Sequence, residues 1–180
     1  TGLGEGTYTL IVTDANGCTS SRSVTLSKGA VSATVTQSNV ACYGASTGSI
    51  TVSSPTGGNG GTYSVKLDIG SYTTTFPKTY SSLAAGSYTV TVKDGSGCTR
   101  SYTKTITQPT DLTFTTTLTH PTCQASTDGQ IVINATGGSG SYEYSKDNGT
   151  NYQSSNTFSS LGEGNYLLKI KDDNKCIETG

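Results

Sequence analysis

Leu83-Ala84-Ala85-Gly86-Ser87-Tyr88-Thr89-Val90-Thr91-Val92-Lys93-Asp94-Gly95-Ser96-Gly97-Cys98 is the stretch that decides the fold. Tyr88, Val90 and Val92 alternate with Thr89, Thr91 and Lys93, a period of two that gives a β-strand one apolar and one polar face. The Asp-Gly-Ser-Gly tail suits a tight turn, because glycine tolerates positive φ and an aspartate side chain can bond its own backbone. The same pattern stands earlier as Leu3-Gly4-Glu5-Gly6-Thr7-Tyr8-Thr9-Leu10-Ile11-Val12-Thr13-Asp14-Ala15-Asn16-Gly17-Cys18. It returns as Leu161, Gly164, Tyr166, Leu168, Ile170, Asp172 and Cys176. From Leu3 to Leu83 to Leu161 the spacing is 80 and then 78 residues.

A second block has the same spacing. Cys42-Tyr43-Gly44-Ala45-Ser46-Thr47-Gly48-Ser49-Ile50-Thr51-Val52 recurs 81 residues on, as Cys123-Gln124-Ala125-Ser126-Thr127-Asp128-Gly129-Gln130-Ile131-Val132-Ile133. A period near 80 exceeds a solenoid rung and matches a small sandwich domain. Residues 1–28 read as the C-terminal part of a repeat, 29–109 as a complete repeat, and 110–180 as a repeat lacking its last strand. Ser27-Lys28-Gly29 and Gln108-Pro109-Thr110 are the short connectors. Beside the decisive strand, Val31–Thr36, Ser49–Ser53, Thr62–Leu67 and Arg100–Thr107 alternate in the same way, and Thr79–Leu83 is a weaker sixth. Gly57-Gly58-Asn59-Gly60-Gly61 and Gly137-Gly138-Ser139-Gly140 lie between strands. The reading is all-β: tandem Ig-like or fibronectin-like β-sandwich repeats. Leu-x-x-Gly-x-Tyr suggests a tyrosine corner, with Tyr8, Tyr88 and Tyr166 hydrogen-bonding back across the loop.

Composition agrees. Of 180 residues, about a third are Ser or Thr, 23 are Gly and 11 are Tyr, with no Met or Trp. That favours short strands and turns over helix. The net charge of −1 and the scattered 11 Lys and Arg give no basic stripe for nucleic acid or anionic lipid. No window has the apolar length of a membrane-spanning helix, and the first residues lack signal-peptide character. Without an initiator Met, the chain reads as an internal piece of something longer. No Ser/His/Asp set, Cys/His pair, phosphate loop or carboxylate cleft is visible, so a non-enzymatic protein without cofactor is expected.

Taken together, Cys42-Tyr43-Gly44 with Gly48-Ser49-Ile50, the Gly-Gly turn before Tyr63 or Tyr142, the Leu83–Val92 run, Asp94–Cys98 and the closing Thr107-Gln108-Pro109 resemble the SprB-type repeat of Bacteroidetes cell-surface proteins. That resemblance implies an extracellular, repetitive adhesin filament exported by type IX secretion and anchored at the bacterial outer membrane, and in gliding bacteria moved along the cell surface by the motility machinery. The partners it implies are neighbouring repeats, an extracellular polysaccharide or substratum, and that machinery.

Five cysteines in a secreted chain suggest disulfides. The candidates are Cys42, Cys98, Cys123 and Cys176, with Cys18 paired outside the fragment. One scheme joins Cys42 to Cys98 and Cys123 to Cys176 within repeats. A second joins Cys18 to Cys42 and Cys98 to Cys123. A third joins the early cysteine of one repeat to the late cysteine of the next, as Cys42 to Cys176. An Ig topology puts the early and late turns of one repeat at opposite ends, favouring the third, whereas one bond per domain favours the first. The acidic turns at Asp14, Asp94 and Asp172 are candidates for Ca²⁺, though a tight turn selects the same residues. His120, beside Pro121, reads as a loop residue, and no metal site is expected. Ser145–Tyr152 is similar to an Asp-box, a structural hairpin element. Tyr63, Tyr72, Tyr80, Tyr102, Tyr142, Tyr144 and Tyr152 are candidates for stacking on sugars, or else for packing.

Overall fold

In the computed structural model, residues 2–27 and 29–180 are described. Thr1, and Lys28 of the expected connector, lie outside the described residues. All regular structure among the described residues is β. Among the described residues, no helix is long and apolar enough to cross a membrane.

The first elements are a hairpin, β1 (Gly6–Thr13) and β2 (Thr19–Leu26), paired antiparallel from Gly6↔Leu26 to Thr13↔Thr19. Next come β3 (Ser32–Ser38), β4 (Gly48–Thr56), β5 (Ser64–Leu67), β6 (Lys78–Leu83), β7 (Gly86–Lys93) and β8 (Thr99–Ile106). They form two three-stranded sheets in the orders β3-β4-β6 and β5-β7-β8. These orders are the A-B-E and C-F-G arrangement of an Ig-like sandwich. The five alternating runs and the weaker sixth each fall on one of these strands. The last set is β9 (Thr110–Thr119), β10 (Gly129–Gly138), β11 (Tyr142–Ser145), β12 (Thr157–Leu161), β13 (Lys169–Asp172) and β14 (Ile177–Thr179). Its sheets, β9-β10-β12 and β11-β13-β14, repeat the topology. Residues 110–180, expected to lack the last strand, hold three residues of it in β14.

By compactness the chain divides into two units. One comprises Thr1–Thr36, Thr51–Thr79 and Tyr88–Thr103; the other comprises Gln37–Ile50, Tyr80–Ser87 and Lys104–Gly180. In the first, Val52, Val65, Val90 and Val92 are fully buried, with Val31 nearly so. At the matching positions of β1, Leu10 and Val12 are 68% and 61% exposed. The apolar face expected there is thus uncovered, because a two-stranded hairpin brings no second sheet to bury it.

The second unit holds a core of Leu112, Ile131, Ile133, Tyr144, Phe158, Leu161, Leu168 and Ile170, with Phe114, Tyr142, Tyr166 and Cys176 packed against it. The alternation explains the choice of residues. On β10, Ile131 and Ile133 point inward between Gln130, Val132 and Asn134, as Ile50 and Val52 do on β4. Buried side chains of this size each contribute roughly 1.5–3 kcal/mol through removal from water.

Candidate functional site

The three late turns are built alike, and the candidate calcium ligands are what builds them. In each, the aspartate N–H donates to the cysteine carbonyl and the cysteine N–H donates to aspartate Oδ1. For Asp14 and Cys18 these distances are 3.0 and 2.8 Å, for Asp94 and Cys98 2.9 and 2.8 Å, and for Asp172 and Cys176 3.1 and 2.9 Å. The second carboxylate oxygen reaches the glycine-rich loop. Asp94 Oδ2 accepts from Asn59 N at 2.8 Å, and Asp172 Oδ2 accepts from Ser139 N at 2.9 Å. A Cβ at Gly58 or Gly138 would collide with that carboxylate, so the Gly-Gly pair is required by close approach and by left-handed backbone. These bonds, the one from Asn59 first, hold the Asp94 carboxyl down at about 2. No group of three His, Cys, Asp or Glu side chains placed to hold a metal occurs among the described residues. The acidic turns act here as clamps that fix the backbone of the late cysteine.

The early cysteines stand on a second conserved-geometry turn. Ala45 N donates to Cys42 O at 3.1 Å and Ser126 N to Cys123 O at 3.0 Å. Ala41 N is held by Thr47 Oγ1, and at the same place Thr122 N by Asp128 Oδ1, both at 3.0 Å. Gly44 turns at φ 69°, and Ala125 adopts φ 65° at its place. Gln108, from the closing Thr-Gln-Pro, accepts from Gly44 N at 3.0 Å and ties the Cys42 turn to the end of the repeat.

The early turn of one repeat and the late turn of the next are joined. Cys42 and Cys176 form a disulfide with Cα atoms 5.6 Å apart, across 134 residues of sequence. Asn174 Nδ2 donates to Ala41 O beside it at 2.9 Å. Cys18, Cys98 and Cys123 are free thiols. Of the three schemes, the bond between successive repeats is the one formed, and the intra-repeat bonds Cys42–Cys98 and Cys123–Cys176 are not. The reason is length. Cys123 lies before the start of β10, whereas Cys176 sits on the turn clamped to Ser139, just past its end. The intervening 10 residues span roughly 33 Å, far beyond disulfide reach.

The tyrosines are mostly engaged in structure. Tyr8 Oη donates to Gly4 O at 2.9 Å and Tyr166 Oη to Gly162 O at 3.1 Å, the corner geometry; Tyr88 holds the matching position. Tyr63 and Tyr142 donate to Gly57 O and Gly137 O at 2.7 and 2.6 Å, closing the glycine loops. Tyr102 Oη accepts from Ala33 N, and Tyr144 is buried edge-on to Tyr142. Lysine ammoniums cover the rings of Tyr72 (Lys93, 4.2 Å) and Tyr152 (Lys171, 4.1 Å). Tyr80 is half-buried on β6. In the Asp-box-like segment, buried Ser145 donates to Asp147 Oδ1 and Asp147 accepts from Asn151 N, so the segment is a self-closed turn. His120 lines a cleft of about 240 Å³ with Pro121 and Leu161.

Every cysteine and aspartate of this seam is a candidate from the sequence, the cysteines for disulfides and the aspartates for Ca²⁺ or tight turns, but not the aspartates' part in fixing the cysteines. Their common spacing, Asp-x-x-x-Cys, was the available signal. Compared with known families, the chain matches the SprB repeat over residues 34–68 and again over residues 115–151. No curated protein matches the chain.

Proposed function

We propose that this chain, a carrier of two SprB repeats, is a load-bearing section of a cell-surface adhesin filament. The SprB repeat is a cell-surface adhesin type of repeat region, and gliding motility, outer-membrane attachment and type IX export are parts of the proposal. The observation that carries it is the Cys42–Cys176 bond, which closes the seam between successive repeats covalently. A filament under shear is pulled along its length, and a bond across each junction resists the separation of neighbours that tension would cause first. The polar surface fits this role. Hydroxyl pairs bridge adjacent strands at Thr7–Thr25, Thr9–Ser23, Thr51–Thr79, Thr91–Ser101 and Thr113–Thr136, at 2.9–3.2 Å. They hold strands together on wet faces without presenting apolar edges.

A non-catalytic stalk is favoured over a carbohydrate-binding module because the tyrosines are committed to glycine loops, corners and lysine contacts. The test is binding of the full chain to a panel of immobilised polysaccharides. No saturable binding by the folded chain is expected. Saturable binding that a soluble sugar blocks would replace this reading with a lectin-like one.

A further inference from the structure

We infer that Cys98 is the waiting half of a second junction disulfide, and that the groove beside it receives the early-cysteine loop of a preceding repeat of this kind. The groove at the formed junction has a volume of about 390 Å³. Its walls include Asp111 and Leu112, residues 175–178, and Cys42 with Tyr43. A second groove, of about 460 Å³, is lined by Ala30 and Val31 and by residues 97–100. These are the same positions one repeat earlier: Ala30 and Val31 precede Asp111 and Leu112 by 81 residues, and 97–100 precede 175–178 by 78. Cys98 therefore occupies the place of Cys176, on a turn clamped by its aspartate at the same distance to within 0.1 Å. The wall supplied by Cys42 and Tyr43 has no counterpart in the second groove, where Glu5 lines the opening. The uncovered face of β1 points to the same neighbour. Leu10 and Val12 are bare where Val90 and Val92 are fully buried, as they would be covered by the remainder of a preceding repeat. The inference rests on the repeat geometry alone and is independent of what the filament grips.

The bond forms by thiol–disulfide exchange with a disulfide oxidant such as oxidised glutathione. Cys98 thiolate attacks one sulfur of the oxidant, forming a mixed disulfide and expelling one thiolate. The loop cysteine's thiolate then attacks Cys98 Sγ, closing the junction and expelling the second. Two protein thiols are oxidised, and one oxidant disulfide is reduced to two thiols.

The test places a copy of residues 29–80 directly ahead of Thr1, completing in register the repeat to which β1 and β2 belong. After oxidation in glutathione buffer, alkylation and non-reducing peptide mapping should show the added copy of Cys42 bonded to Cys98. Only Cys18 and Cys123 should then take alkylating reagent, so the three free thiols fall to two although a cysteine has been added. In the same extended chain, Cys98→Ser should leave the added cysteine alkylatable and Cys123→Ser should not. Four alkylatable thiols, or a bond to Cys18 or Cys123, would overturn the inference. A second measurement needs no added repeat: a peptide of residues 37–47, offered to the full chain in the same buffer, should label Cys98 about tenfold faster than Cys18 or Cys123. Equal labelling of the three would contradict it.

Discussion

Asp94 illustrates how much of this repeat depends on single side chains. Its carboxylate gathers the N–H groups of Asn59, Ser96 and Cys98, and these bonds lower its pKa from the ordinary 3.8 to about 2. Asp128, held by Ser126 and Thr122, and Asp147, held by Asn151, are also lowered to about 2. In the unfolded chain each takes its proton at a higher pH than in the folded one. The stability they contribute is therefore complete above pH about 4 and is lost as pH falls toward 2. Thermal unfolding between pH 5 and 2 should show that decline, and Asp94→Asn should be less stable at pH 7 and flatter in acid. An unchanged acid limb in that variant would count against the clamp. Lys175 gives a second test. It sits at φ 67° where Gly17 and Gly97 occupy the other late turns, so Lys175→Gly should raise stability by about 0.5–1 kcal/mol, read from denaturant midpoints. The turn itself was legible in Asp-x-x-x-Cys. The ligand of the aspartates was not, because a carboxylate set for backbone amides and one set for Ca²⁺ use the same residues until the geometry is seen.

At the level of strands, alternation sets which side chains are buried. β4 and β10 each send glycine and two aliphatic residues inward, and Gly48 and Gly129 lie where a Cβ would strike Leu83 O and Leu161 O on the neighbouring strand. Ile133 is fully buried at the centre of its core. Ile133→Ala should cost about 2–5 kcal/mol, against less than about 0.5 kcal/mol for a change at exposed Asn134 beside it, as chemical denaturation would measure. Equal effects at the two positions would mean the faces are misassigned. The strand positions of the complete repeat and the all-β sandwich class could be read from the sequence because a period of two leaves few alternatives; the order of strands within each sheet came from the structure. The exposure of Leu10 and Val12 could not, since alternation tells which face is apolar and not whether another sheet covers it.

For the whole chain the decisive feature is the bond between successive repeats. Its partners are 134 residues apart, so no local pattern identifies them; only the stacking of a late turn on the preceding early turn does. Closing so long a loop restricts the unfolded chain, by about 5 kcal/mol on the chain-entropy estimate, and in proteins such bonds typically deliver about 2–4 kcal/mol. Cys42→Ser should lose about that much, with Cys176 then alkylatable. The mechanical consequence is more direct still. With the bond intact, the residues it encloses cannot be drawn out by force on the ends, which withholds roughly 450 Å of extended chain. Single-molecule stretching of the chain between its two ends tests this claim. The fully unfolded length should be shorter by roughly 450 Å under oxidising conditions, and restored by a reductant or by Cys42→Ser. The same length with and without reductant would contradict it.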